Sequence, residues 1–139
     1  MLWILYIGYA ALGIGLLVAG AYVIGWVTRT AWPAHIIGVA GFSVLIIGMI
    51  TRTALGHLGR PLKADVSIVA TYILVLTAAA LRLLALLPTV FAVIFLHLAA
   101  AAWIIAFVLY LWGFFPMMIR PRIDQASLKS VQPAVSTQR

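Results

Sequence analysis

The 139-residue sequence has no cysteine, only two acidic residues, and just 8% charged residues in all. Without cysteine there are no disulfide scaffolds, no thiolate zinc or iron–sulfur centres and no thiol catalysis. So low a charge content rules out a water-soluble domain, whose surface takes about a quarter of its residues from Asp, Glu, Lys and Arg. What fills the chain instead is apolar: 66% of the residues are hydrophobic. A membrane span needs roughly 20 apolar residues, so four spans nearly exhaust the chain. The expected fold class is an all-α integral membrane four-helix bundle, in contact with the lipid bilayer along its length.

Charges, glycines and prolines divide the apolar sequence into runs of about 2–27, 33–50, 64–87 and 89–115. Together they predict one four-helix domain over 1–119, and the Ser-, Gln- and Pro-containing composition of 120–139 predicts a flexible tail. The first run is too long for a signal-peptide core and lacks a basic segment before it, so it is expected to be retained. Pro33 suits a first helical turn, where its missing N–H costs nothing. Gly56, Gly59 and Pro61 predict a non-helical connection from Thr51 to Asp65. Pro116 is expected to close the last helix.

The nine Lys and Arg against two acids give a formal net charge of +7. Spread between hydrophobic runs, they form no continuous basic face, and nucleic acid is not an expected partner. With four crossings, Arg52, Arg60, Lys63 and the tail cations share one side, leaving Arg29 and Arg82 near the other. The positive-inside rule then puts both termini in the cytoplasm. Small residues mark candidate packing stripes: Ala11, Gly15 and Ala19; Gly41 and Gly48; Ala99 to Ala102 with Ala106. They allow close helix approach, or room for a flat cofactor or a partner helix.

The candidate functional residues are the few polar groups in or beside these runs. His35 belongs to the first turn of the second run, and His97 lies ~12 Å into the fourth from the same side. Arg82 lies ~8 Å from the corresponding end of the third. An imidazole in hydrocarbon needs partners for its nitrogens, either a metal such as haem iron or a carbonyl, hydroxyl or water. Two histidines on different helices can hold one haem b iron between them, although these positions differ by ~8 Å in expected depth. Arg82 has no carboxylate within the membrane to pair with. It either snorkels to lipid phosphate or meets an anion from a haem propionate or another subunit. The same shortage of acids argues against a proton-coupled transporter, and no Ser–His–Asp set is present for nucleophilic catalysis. His57 falls ~33 Å from His35 along a continuous helix and cannot share a ligand with it. Flanked by Arg52 and Arg60, it belongs either to a basic interfacial loop or to a site for an anion or metal.

The stretch Met49-Ile-Thr-Arg-Thr-Ala-Leu-Gly-His-Leu-Gly-Arg-Pro-Leu62 resembles the hallmark of the NnrS family, membrane proteins associated with haem, copper and the bacterial nitric-oxide response. Leu2 to Ala10, Ala79-Ala80-Leu81-Arg82, and Trp103 to Phe107 with Pro116 and Pro121-Arg122-Ile123-Asp124 are similar to further parts of the family pattern. The chain looks like the final four-helix portion of a longer family member. The resemblance implies a multi-pass protein of the bacterial inner membrane that binds haem and answers nitrosative stress or supports haem-copper respiratory enzymes. It carries over Arg52, His57, Arg60 and Arg82. Tyr6 stands where the family often has His, and Leu58 where it commonly has Thr, which puts copper in doubt. The rival reading is a non-enzymatic accessory subunit, packed against itself or another membrane subunit, whose histidines are structural.

Overall fold

A computed structural model describes residues 2–119, and over that span the chain is four helices with no strand. The expected tail at 120–139 lies outside the described residues. All four helices, Trp3–Val23, Ala31–His57, Val66–Leu84 and Ala92–Ile119, are long and apolar enough to cross a membrane. The outer surface of the bundle is correspondingly apolar: Leu17, Val23, Trp26, Val90 and Trp112 are each more than three-quarters exposed. Such an exterior is stable in lipid and not in water.

Local chemistry explains where each helix stops. The first ends at Val23 because Gly25 adopts a positive φ of 84°. The Trp26 N–H then turns back to the Ala21 carbonyl at 2.9 Å. That left-handed closure comes before the apolar run itself ends, so Trp26 and Val27 are outside the helix. The second helix runs past Arg52 to His57, longer than the glycine pattern predicts. Gly56 stays helical, at a cost of only about 1 kcal/mol relative to Ala. The actual stop is Gly59, with φ 65°, where the Arg60 N–H reaches the Leu55 carbonyl at 3.0 Å. The third helix begins after Asp65, whose carboxylate accepts from the Ile68 N–H at 2.9 Å as a side-chain N-cap. In the fourth, Pro116 lies inside the helix, which continues to Ile119. Proline forfeits one backbone bond there but does not end the helix.

The first and second helices form an antiparallel hairpin built on reciprocal glycine sockets. A β-carbon at Gly8 would sit 2.8 Å from Leu45 Cγ, and one at Gly15 only 2.5 Å from Ile37 Cγ1. In return Gly48 receives Leu5, and Gly41 lies against the Leu12 backbone. The third and fourth helices pair through buried Ala78 and Ala79 against Ala99, Ala102 and Ala106. The second and third helices join the two hairpins around Val44, Ile47, Tyr72 and Val75. Trp3 closes one end of this core, edge-on to Tyr72 with ring centroids 5.7 Å apart.

Candidate cofactor site

The alternating helices give the bundle two chemically different ends. At one lie the connections between the first and second and between the third and fourth helices. Here Arg29 Nη1 donates to the Leu86 carbonyl at 2.7 Å. At the other end the second helix exits through His57, Arg60 and Lys63 toward Asp65.

His35, Arg82 and His97 all belong to the Arg29 end. The second helix begins at Ala31, ahead of Pro33, and the fourth begins only at Ala92, after the Pro88 turn. His35 is therefore about 6 Å into its helix and His97 about 7.5 Å into its own. Both distances run along each helix from its own first residue. Arg82 lies in the last turn of the third helix, where a cation also complements the helix dipole.

Each histidine is oriented by its own helix. His35 Nδ1 bonds the Ala31 carbonyl at 2.8 Å, and His97 Nδ1 bonds the Val93 carbonyl at 2.7 Å. A carbonyl only accepts, so each Nδ1 carries a proton and donates, which leaves Nε2 as the nitrogen available to a ligand. This is the tautomer and back-side support that a metal-ligating imidazole uses. His35 is half-buried, whereas His97 is exposed on the side of the fourth helix.

Between the second, third and fourth helices lies an apolar cavity of about 360 Å³. Among the described residues Arg82 is its one charged lining residue; Val39, Ala78, Leu96, Ala100 and Trp103 supply much of the remaining wall. Neither His35 nor His97 lines it. His35 is one helical turn before the lining residue Val39, and His97 follows the lining residue Leu96 directly in the chain. Val39 belongs to a π-helical stretch, Ile36–Phe42, whose wider turn begins directly after His35. Ser43 Oγ closes that stretch onto the Gly38 carbonyl at 3.2 Å. Wide turns of this kind recur at functional sites, and no spacing in the sequence points to this one.

His57 is separated from the other histidines, at the far end of the second helix. It faces a second cavity of about 460 Å³ shared with the fourth helix through Tyr110 and Met118. Arg52 and Arg60 are half-buried at the same end, and neither lines that cavity. The NnrS-like stretch is thus mostly the last turns and cap of a helix, not the loop expected from its glycines. A further polar group without a signal in the sequence is Tyr72, fully buried, whose hydroxyl has no hydrogen-bond partner among the described residues.

A family model described as NnrS protein matches residues 1–122. No match was found among curated proteins or among solved structures.

Proposed function

The chain belongs to the NnrS family, and on that premise we propose that it is a short membrane haem-binding protein of the nitric-oxide or nitrosative-stress response in the bacterial inner membrane. His35 and His97 would hold the iron of haem b, and Arg82 would supply the counter-charge for a propionate. The observation that supports this reading is the shared bundle end and the like backbone bond of the two histidines. Two imidazoles stand within the first two turns of different helices that start at the same end, each with Nδ1 bonded to the carbonyl four residues before it. Haem supplies the redox and diatomic-gas chemistry when bound. The chain's own residues fix the imidazole tautomers, hold a cation in an apolar wall, and surround the site with lipid-facing hydrocarbon. The family resemblance supplies the nitric-oxide role.

The exposure of His97 favours one second reading: an accessory subunit in which a partner helix covers that face and the imidazole is structural. A reduced-minus-oxidised spectrum of the purified protein, expressed with sufficient haem, separates the two. The haem reading requires a Soret band that His35→Ala and His97→Ala each remove or shift and His57→Ala leaves in place. A protein lacking the band, with His97 protected by a co-purifying subunit, establishes the accessory reading.

A further inference from the structure

The cavity at the His57 end has a lining unlike that of the cavity beside Arg82. Much of its wall is apolar, with Met49 and Ile50 from the second helix and Met118 from the fourth. Three polar side chains, Thr53, His57 and Tyr110, break that surface. Several other hydroxyls in the helices are satisfied locally: Thr51 donates to Ile47, Thr71 to Ser67, and Ser43 to Gly38. Thr53, His57 and Tyr110 make no such bond among the described residues, so their donors remain available to the cavity.

This combination specifies a ligand class. At about 460 Å³ the space falls within the range of small-molecule sites, which are largely apolar with a few convergent polar groups. No Lys or Arg lines it among the described residues, which disfavours a phosphate or carboxylate head. A pure acyl chain has no group that pairs with the three polar side chains. A neutral flat ring bearing carbonyl oxygens satisfies both constraints. Its oxygens accept from imidazole N–H, phenol and hydroxyl, and the Met49 and Met118 thioethers pack against its face or edge. Position agrees with chemistry: the cavity begins beside membrane-level Met49 and ends at the interfacial His57.

We propose that this cavity is a binding site for a membrane-soluble quinone, entering from the bilayer, with Thr53, His57 and Tyr110 as donors to its carbonyl oxygens. The site is distinct from the proposed haem site and does not depend on it.

The test uses the full chain in lipid nanodiscs with a tritiated short-tailed 1,4-benzoquinone. The expected result is saturable binding near one quinone per chain. Tyr110→Phe and Thr53→Val each remove one donor with little change of shape and are expected to weaken binding about fivefold, the worth of one neutral hydrogen bond. Met49→Trp, which fills the cavity, is expected to abolish binding, whereas Ala100→Trp at the other cavity leaves it unchanged. Matching helical circular dichroism shows that the variants fold, and the isosteric pair decides the matter if Met49→Trp does not. Non-saturable uptake, unchanged affinity in both donor variants, or a co-purified phospholipid displaced by Met49→Trp overturns the proposal. The haem spectrum, read on the same samples, reports separately on the haem site.

Discussion

Arg29 and Leu86 are joined across 57 positions of sequence by a 2.7 Å bond from guanidinium to backbone carbonyl. The bond ties together the two connections at one end of the bundle. It also satisfies a carbonyl just beyond the third helix and sets a positive charge near that helix's negative end. Arg29→Gln, which shortens the donor and removes the charge, is expected to cost about 1 kcal/mol because the contact is exposed. Thermal unfolding in detergent should therefore show a modestly lowered midpoint, with the helical signal of the native state unchanged.

Glycine substitutions along the first helix are expected to divide sharply by face. At Gly15 a β-carbon has no space, being 3.1 Å from the Ile37 backbone nitrogen as well as closer to its side chain. Gly15→Val should thus force the first hairpin apart and destabilise by about 1–3 kcal/mol. Gly13 has nothing within 4 Å of the same position. Gly13→Ala is expected to be neutral or to stabilise by up to ~1 kcal/mol through helix propensity. Equal losses of thermal midpoint at the two sites would show that the sockets do not hold the hairpin.

The four spans were legible from the sequence because hydrophobic runs of membrane length have few alternative structures. Their ends were less legible. Gly56 and Pro116 ordinarily weaken helices, yet both are retained within them, since a broken helix in lipid would expose unsatisfied backbone groups. The candidate layer of His35, Arg82 and His97 was visible as rare polarity in apolar runs. The helices that carry its two histidines begin at Ala31 and Ala92, not at Pro33 and Thr89 as the apolar runs suggest. The cavities and the π-helical stretch depend on which faces meet, information that a single sequence of nearly uniform hydrophobicity does not carry.

The charge at the His57 end, where Arg52, Arg60 and Lys63 lie on or just beyond the second helix, makes orientation a testable expectation. Holding these cations on the cytoplasmic side is favoured by the positive-inside rule, while the opposite end offers Arg29 and Arg82. A periplasm-active reporter fused after Trp32 is expected to be active, and one fused after Lys63 inactive. The opposite pattern would reverse the bundle and move the His35 layer to the cytoplasmic half of the membrane.

Arg82 supplies the most discriminating substitution at the proposed haem site. It combines a charged head with an apolar cavity wall, so loss of packing and loss of charge must be measured separately. Arg82→Met keeps much of the aliphatic length and removes the cation; Arg82→Lys keeps the cation and loses the bidentate fork. If the guanidinium meets a propionate, Arg82→Met should lower haem occupancy or shift the haem reduction potential downward, because the removed positive charge stabilised the reduced iron. Arg82→Lys should retain most of the wild-type occupancy. Redox titration of the Soret and α bands distinguishes these results from simple snorkelling to lipid phosphate, which predicts wild-type occupancy and potential in both variants.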